Sequence, residues 1–574
     1  MLTMLMPGMP GKGSGGSVTA QAAPAAPAGP GSRRRWLGLF FIALGVAMII
    51  VDATIVNVAV PQIIKDLGIT SSDAQWVQEV YTLVFAALLL VWGRLADRYG
   101  RRLLFVTGAA GFAAASVLAA LARSGPELIG SRVLQGIAAA MMLPTSLSLL
   151  NAGFRGRDRA IAFAAWGSTI GGTAALGPLL GGWLTTSYSW RWAFGINIPL
   201  GIAVVAGTLL LVPESRELPS ARGNDLVGAL LSVLGFGGIV FGLIQGRSYG
   251  WRTRTGPVSI AGLGWKWPVS PVPVAFAAGV ICLAAFAAVE LRRNAAGRVV
   301  LLDLRLFAIA SFRNGNIAAA IVSLGEFGLL FALPLWFENV RGYSAFRTGI
   351  ALLPLAIGSF AASGFGAQLA RKKGPVFTVR LGIVLEIVGV AGIGVVVGPA
   401  TAWWATVPPL FVYGLGVGLA TAQLTGVVLA DVPVANSGQA SGTQSTSRQI
   451  GSAFGIAILG TVLFSALGAL LSQRLSGIPG LPAGQRSALV AGVKQSAGAV
   501  IGQLAASPRT AAIAVAAKQA FSQATRLTAF TAAAFLALGL LASLSLGRGN
   551  ASHQTRGPDA GPDQRTGPVA QDPR

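Results

Sequence analysis

The chain has 574 residues, of which 53% are hydrophobic and 11% charged, and its formal net charge is +24. A soluble domain is about a quarter charged, so this composition excludes an ordinary soluble domain and favours a membrane protein. The basic residues fall in short groups between apolar runs, which argues against a nucleic-acid-binding protein. The single cysteine, Cys282, excludes an internal disulfide framework. The single histidine, His553, lies near the C-terminus, which leaves carboxylates to carry any proton chemistry in the membrane.

Apolar segments long enough to cross a bilayer recur along most of the chain. Residues 1–35 are rich in Gly, Pro and Ala, which cannot build a core, and we predict a disordered tail there and another at 547–574. Hydropathy predicts about fourteen spans. Their approximate bounds are 36–60, 74–95, 103–122, 128–150, 160–186, 192–212, 225–245, 269–291, 312–337, 346–370, 375–397, 402–430, 443–470 and 526–546.

The basic residues predict how the spans are oriented. Groups at 94–102, 155–159, 292–293 and 371–373 share one side if the N-terminus is cytoplasmic, as the positive-inside rule requires. An even number of spans then places both tails in the cytoplasm. We therefore expect a multi-pass protein of the cell membrane.

Glycine and proline are concentrated in the fifth predicted span. Gly177 and Gly181, with Gly182 beside them, place small residues on one helical face, where two backbones can approach closely. Pro178 removes a backbone donor, which lipid tolerates where neighbouring helices or water satisfy the freed carbonyl. The pattern favours a helix that moves against a partner, and so a transporter.

A short polar loop, GRLADRYGRR at 93–102, follows the second span. Glycines at both ends permit a tight turn, and a single carboxylate among four arginines can pair with one of them or lie against a helix N-terminus. A merely basic loop that sets topology is the alternative. The ordered pattern favours a gating loop formed by Gly93, Asp97, Arg98, Gly100 and Arg101.

Five segments carry ordered motifs: the 93–102 loop, VDATIVNVAVP at 51–61, RVLQG at 132–136, GPLLGG at 177–182, and WRWAF at 190–194 followed by Asn197 and Pro199. Together they resemble the signatures of the major facilitator superfamily, over about residues 36–465. In that order, they resemble the family's signature loop, the first-helix motif of its drug/proton antiporters, its fourth-helix arginine motif, its fifth-helix antiporter motif and a hallmark of the fourteen-span branch. Val60 and Thr173 depart from the leucine and glycine usual there.

The resemblance implies an all-α membrane protein with the major facilitator fold, in which two six-helix bundles carry two inserted transmembrane helices. A weak internal echo between 93–100 and 366–374 supports two related halves. The predicted divisions are a bundle at 36–212, an insert with linkers at 213–311 and a second bundle at 312–546, which contains a long external connection at 471–525.

Two charged residues within the first and fourth spans are candidates for proton coupling. A charged aspartate at mid-span costs about 2.5–3.5 kcal/mol on insertion scales, so Asp52 is a functional candidate at which a proton and a cationic substrate can compete. A structural aspartate bonded to Thr54 and Asn57 is the alternative. Arg132 is the only basic residue that we place inside a span, where it should meet a carboxylate or water, or else snorkel to the span's end. The resemblance ties this arginine to proton coupling and to packing against the first helix.

Other intramembrane carboxylates are weaker candidates. Glu326 lies mid-span, and the resemblance places its helix beside the cavity of the second half, so coupling and structural pairing are equally favoured. Glu386 is also mid-span, but the resemblance puts its helix at the periphery and favours a structural role. Glu79 and Asp431 lie near span ends, where water reaches them.

Polar and aromatic side chains could line a cavity that accepts cations. The candidates are Asn57, Gln135, Trp166, Phe331, Trp336 and Tyr413, although most membrane aromatics serve packing or interfacial anchoring. The sequence has no phosphate-binding GxxxxGK[ST] loop, no metal cluster and no nucleophile–base arrangement. We therefore expect no enzyme activity, no cofactor or metal, and transport driven by protons.

The leading hypothesis is a monomeric proton-coupled antiporter that exports lipophilic, often cationic compounds by alternating access, without nucleic-acid partners. An exporter dedicated to one endogenous metabolite or antibiotic is the nearest alternative. A facilitative uptake carrier and a non-transporting membrane receptor are alternatives of other classes.

Overall fold

The computed structural model describes residues 32–69, 71–173, 176–216, 225–254, 259–260, 263–265 and 267–546. Both predicted tails lie outside these residues, except that Arg33–Arg35 belong to the first helix. The helices of the N-terminal part are α1 Ser32–Leu67, α2 Ser71–Tyr99, α3 Arg101–Leu121, α4 Gly125–Gly153, α5 Gly156–Thr173, α6 Leu176–Ser187, α7 Arg191–Gly195 and α8 Asn197–Leu211. The helices that follow are α9 Leu226–Tyr249, α10 Pro271–Ala295, α11 Ala310–Asn339, α12 Ala345–Lys373, α13 Pro375–Val396, α14 Val407–Val428, α15 Ser437–Ser476, α16 Ala483–Gln495, α17 Val500–Ala505 and α18 Ala511–Ser543.

Thirteen helices among the described residues are long and apolar enough to cross a membrane. The fifth predicted span is divided between α5 and α6, which flank residues 174–175. These helices confirm the all-α membrane fold, and the one sheet among the described residues is a small antiparallel hairpin that pairs Ser259–Ile260 with Leu263–Gly264. That hairpin lies in the connection between α9 and α10.

The helices pack as two bundles with a helix pair beside them. In the N-terminal bundle (α1–α8), α4 packs against α2 and α3, and α1 packs against α6 and α8. In the C-terminal bundle (α11–α15 and α18), α14 packs against α12 and α13, and α11 packs against α15 and α18. The pair formed by α9 and α10 contacts the first bundle through α2.

The connection predicted at 471–525 is shorter than expected. Helix α15 continues to Ser476 and α18 begins at Ala511, while α16 and α17 occupy much of the segment between them. This segment is rich in alanine, glutamine and serine, so its hydropathy is low although its alanines favour a helix. Hydropathy located the membrane core of α15 and α18 and missed their polar extensions.

Small residues bring the two bundles into close contact through α5, α6 and α12. A methyl group added at Gly167 would lie 2.7 Å from the Ala422 Cα atom on α14. One added at Gly349 on α12 would lie 2.7 Å from the backbone nitrogen of Leu179 on α6. These distances are shorter than van der Waals contact, so the helix backbones touch without intervening side chains.

Replacing Gly167 by alanine is expected to destabilise the protein by about 1–3 kcal/mol, because the new methyl group meets backbone rather than a flexible side chain. The measurement is the thermal unfolding midpoint of the purified protein in detergent. Gly130→Ala is the matched control, since no atom lies within 4 Å of a methyl group there. Equal unfolding temperatures for the two variants would contradict the close approach of α5 and α14.

Candidate functional site

A buried ion pair joins α1 to α4 in the N-terminal bundle. The Arg132 Nη1 atom lies 2.5 Å from the Asp52 Oδ2 atom, and the two side chains are 1% and 0% exposed. Arg132 also donates through Nε to the Val77 carbonyl at 3.0 Å and through Nη1 to the Gln135 Oε1 atom at 2.8 Å. The arginine therefore points into the bundle and does not snorkel to the end of its span.

Two amides and one hydroxyl complete the surroundings of the Asp52 carboxylate. Its Oδ1 atom accepts hydrogen bonds from Asn197 Nδ2 at 2.7 Å and from Gln135 Nε2 at 3.2 Å. The Ser116 hydroxyl accepts from the same two amides, at 3.3 Å and 2.8 Å. A buried charge needs this degree of pairing and hydrogen bonding to persist. The network links α1, α3, α4 and α8 around one carboxylate.

Aromatic rings cover the guanidinium of Arg132. Its central carbon lies 4.2 Å from the centre of the Tyr81 ring and 5.9 Å from that of Phe194. Ring faces attract cations, most strongly away from water. The Tyr81 hydroxyl donates to the Ile49 carbonyl at 3.3 Å, which fixes the ring beside α1. These contacts hold the arginine in one position.

The glycines of the predicted antiporter motif lie between this network and the other bundle. A methyl group at Gly177 would collide with Thr54, and one at Gly181 would lie 2.9 Å from Ile55. One at Gly182 would lie 2.9 Å from the backbone of Phe346 on α12. Helix α6 therefore contacts α1 two to three residues after Asp52 and, on its other side, α12. The side chain of Pro178 lies outside the described part of the chain.

A second buried carboxylate site lies in the C-terminal bundle. Glu326 on α11 is 2% exposed, and its Oε2 atom lies 3.3 Å from Arg448 Nη2 on α15. The Thr421 hydroxyl donates to the other oxygen at 3.1 Å, and the Tyr413 hydroxyl donates to the Glu326 backbone carbonyl at 3.0 Å. Three helices of this bundle therefore meet at Glu326.

Glu386 lies on the inner face of its helix. The resemblance put α13 at the periphery, and Val384, Val388 and Val395 on it are exposed, but the Glu386 side chain is 0% exposed and lies where α13 packs against α14. Neither of its carboxyl oxygens has a hydrogen-bond partner among the described residues. Glycines at the α13–α14 contact bring the backbones close enough to bury the carboxyl group fully.

The predicted 93–102 loop is formed by the last turns of α2, Gly100 and the first residues of α3, and it connects the two bundles at one end of the molecule. The Asp97 Oδ1 atom accepts from Arg101 Nη2 at 2.8 Å and from the backbone N–H of Gly438 at 2.7 Å, and Oδ2 accepts from the N–H of Gln439 at 3.0 Å. These amides open α15 of the other bundle, where the helix dipole favours a negative charge. Asp97 is therefore an N-terminal cap supplied from across the interface.

The glycines of this loop allow that contact. A methyl group at Gly93 would lie 2.5 Å from the Gly438 carbonyl oxygen, so a larger residue would separate α2 from α15. Gly100 has φ of +125°, which favours glycine. A second bond across the same end runs from the Asn151 amide to the Ser437 hydroxyl, at 2.7 Å.

The remaining predicted residues make contacts outside the two buried ion pairs. Trp166 is 1% exposed and donates to the Ser146 hydroxyl at 3.0 Å. Phe331 is half-buried on α11. Trp336 is buried and donates to Ser522 at 3.1 Å. Arg98 lies over the ring of Tyr99. The side chain of Asn57 lies outside the described part of the chain.

The two carboxylates predicted near span ends make polar contacts. Glu79 accepts a hydrogen bond from Gln245 of α9 at 2.5 Å, which ties the inserted helix pair to α2. Asp431 accepts from the Ser311 hydroxyl at 2.7 Å, at the start of α11. Both groups join neighbouring segments of the fold.

Sequence reasoning missed Arg448, Thr421 and Ser116. Arg448 lies within the predicted span at 443–470, and an arginine in such a segment is itself a signal for a buried carboxylate partner. Our expectation that Arg132 is the only basic residue inside a span was therefore wrong. Hydroxyl residues are common in membrane helices, so Thr421 and Ser116 carried no comparable signal.

Two helical bundles, each with a buried ion pair in its interior and joined by a helix cap that Asp97 supplies across the interface, are the architecture of a membrane transporter. The Major Facilitator Superfamily matches residues 42–456, and the chain belongs to this family.

Relatives of the chain are named as exporters and resistance proteins. The probable actinorhodin transporter of Streptomyces coelicolor is 36% identical over 447 residues, which are 76% of this chain and 73% of that protein. Puromycin resistance protein pur8 of Streptomyces alboniger is 33% identical, over 77% of this chain and 84% of its own. Multidrug efflux pump LfrA of Mycolicibacterium smegmatis is 33% identical, over 75% and 81%.

Solved structures share the fold at low identity. The human organic anion transporter MFSD10 superposes with a TM-score of 0.55 at 14% identity, over 90% of this chain and all of that one. A bacterial homologue of the human lysosomal transporter Spinster gives 0.51 at 18% identity, over 90% and 98%.

Proposed function

We propose that the protein is a proton-coupled antiporter that exports lipophilic, often cationic compounds across the cell membrane by alternating access. The observation that carries the proposal is the buried Asp52 carboxylate, which Arg132 neutralises at 2.5 Å within the N-terminal bundle. A carboxylate in such a place binds a proton, a cationic substrate or its own arginine, and any two of these compete. Competition for one group couples the inward movement of protons to the outward movement of substrate.

Helix α6 is the element that transmits the charge state of Asp52. Protonation removes the attraction between Asp52 and Arg132, which changes the force that holds α1 against α4. Helix α6 touches α1 through Gly177 and Gly181 and touches α12 through Gly182. Because close-packed helices without side chains between them move as units, a shift of α1 reaches the C-terminal bundle through this contact.

The hydrogen bonds between Asp97 and the N-terminus of α15 form the gate. It closes the end of the molecule that carries the 93–102 loop by joining α2 to the first amides of α15. The basic loops predict that this end faces the cytoplasm, so both tails are cytoplasmic and the closed gate prevents entry from the cell interior. Opening the gate requires these bonds to break in each cycle.

Protons supply the drive, and we propose neither cofactor, metal nor enzymatic step. The membrane potential contributes about 2.3 kcal/mol per charge for each 100 mV. Each monomer contains both bundles and its own carboxylate sites, so a single chain suffices for transport.

A second candidate is an exporter dedicated to one metabolite or antibiotic made by the cell. The relative at 36% identity is named a probable actinorhodin transporter, and another, at 30% identity, a tetracenomycin C resistance and export protein. Such an exporter would use the same residues for proton coupling and would have a narrower substrate cavity.

Proteoliposomes loaded with the lipophilic cation tetraphenylphosphonium test the proposal. With an inward proton gradient, we expect loss of the cation from the vesicles against its own gradient, and reversal of the proton gradient should reverse the flux. A panel of neutral and anionic compounds separates a broad exporter from a dedicated one. Flux that follows the solute gradient alone would indicate an uptake carrier, and no flux for any compound would indicate a receptor.

A further inference from the structure

The Glu386 carboxyl group is an intramembrane acid that the mechanism above leaves unused. It lies in the middle of α13, is 0% exposed, and neither oxygen has a hydrogen-bond partner among the described residues. An ionised carboxylate without such partners is far more costly to bury than a neutral carboxyl group. Native proteins satisfy most buried polar atoms, so two unsatisfied oxygens on one side chain call for an explanation.

Close helix packing excludes water from this group. A methyl group at Gly416 of α14 would lie 2.7 Å from the Glu386 Cγ atom, and one at Gly389 of α13 would lie 2.5 Å from the backbone nitrogen of Tyr413. The Tyr413 side chain extends from this contact to the Glu326 carbonyl. Tyr413 therefore packs against the helix of Glu386 and binds the helix of Glu326.

Arg448 pairs with one of these two carboxyl groups. Glu386 packs against α14 at Gly416, which lies between Tyr413 and Thr421, the two α14 residues that bind Glu326. Arg448 places its Nη2 atom 3.3 Å from Glu326, whereas its Nη1 atom has no hydrogen-bond partner among the described residues. With both acids ionised the cluster would carry one uncompensated negative charge, and with one proton added it is neutral.

Among the described residues, the cations on the other helices that pack against α13 lie away from Glu386. Helix α12 carries its charged residues in its first and last turns. On α18, Arg526 donates to the carbonyl of Val395, more than two helical turns from Glu386. On α13 itself, Arg380 donates to the Ser543 carbonyl. The charge balance of Glu386 therefore depends on Glu326 and Arg448.

We propose that Glu326, Glu386 and Arg448 form a proton-binding site in the C-terminal bundle, with Glu386 as the residue that holds the proton. Arg448 neutralises Glu326 in the present conformation. When α15 moves, the Nη1 atom of Arg448 becomes available to Glu386, whose proton then leaves to water. This inference rests on the proposed antiport function and adds a second proton to the one at Asp52.

Infrared difference spectroscopy of the purified protein tests where the proton lies. The spectrum of the native chain minus that of Glu386→Gln at neutral pH should contain the carbonyl-stretching band of one protonated carboxyl group, shifted in heavy water. Glu214→Gln is the control, because that carboxylate is 30% exposed and should contribute carboxylate bands instead. Carboxylate bands in the Glu386 difference spectrum would overturn the proposal.

The thermal stability of two Glu386 variants gives a second test that does not depend on the infrared spectrum. Because Glu386 is already neutral and makes no hydrogen bond, Glu386→Gln and the apolar variant Glu386→Leu should both fold and unfold within a few degrees of the native chain. Failure of both variants to fold would contradict a neutral carboxyl group at this position.

The number of protons moved per cation distinguishes this inference from the proposed function. In the tetraphenylphosphonium assay, the native protein should move one more proton per cation than Glu386→Gln does. An unchanged ratio with active export would overturn the role of Glu386 and leave the antiport function intact. The infrared result does not depend on transport, so it decides the protonation of Glu386 even if export fails.

Discussion

Replacing Arg132 by glutamine is expected to destabilise the protein by about 3–5 kcal/mol and to abolish proton-driven export. The substitution leaves the Asp52 carboxylate buried without its cation, and breaking a buried pair on one side has this magnitude. Bonds from Gln135 and Asn197 remain, but neutral amides do not compensate a full charge. The measurements are the unfolding midpoint in detergent and proton-driven efflux from proteoliposomes.

Two further variants make this prediction specific. The double variant Asp52→Asn with Arg132→Gln removes both charges and should regain most of the lost stability while remaining inactive in coupled transport. Arg123→Gln, at an exposed arginine just before α4, should leave stability unchanged. A double variant as unstable as the sum of its two single variants would show that the ion pair is not the source of the effect.

Replacing Asp97 by asparagine is expected to destabilise the closed form relative to the open form by about 1.5–3 kcal/mol. This corresponds to roughly a 10- to 150-fold change in the ratio of closed to open forms. The uncharged side chain loses the charge-assisted bonds to Arg101 and to the first amides of α15. The helix dipole of α15 then faces a neutral group.

Cross-linking across the same interface measures this shift. Asn151→Cys and Ser437→Cys, in a Cys282→Ala background, place two thiols where the native side chains lie 2.7 Å apart. Disulfide yield should fall when Asp97→Asn is added. Glu214→Gln is the matched control, since Glu214 caps α3 within its own bundle, through the amides of Arg102 and Leu103. Equal yields with and without Asp97 would contradict the gate.

The N-terminal site was predictable because its residues are conspicuous in an apolar sequence. Asp52 and Arg132 are charged residues inside spans, and membrane burial requires each to find a partner. Gln135 lies three residues from Arg132 and thus on the same helical face. The spans themselves follow from hydropathy, apart from the polar extensions of α1, α15 and α18.

The C-terminal site was less predictable because it depends on distant helices. The resemblance placed the helix of Glu386 at the periphery, and the burial of this side chain arises from Gly416 on α14, which no local pattern connects with it. The contact between Asp97 and Gln439 spans more than three hundred residues of sequence. The sequence predicted that Asp97 would pair with an arginine or lie against a helix N-terminus, and it does both, but no periodicity could tell which helix.

The most direct test of proton coupling compares the native chain with Asp52→Asn in proteoliposomes that contain tetraphenylphosphonium. Two fluxes are recorded: efflux driven by an inward proton gradient, and exchange of labelled for unlabelled cation at equal concentrations, which needs no net proton movement. We predict that Asp52→Asn loses the driven efflux and retains exchange, while the native chain performs both. Export by Asp52→Asn against the cation's own gradient, at the native rate, would contradict the account.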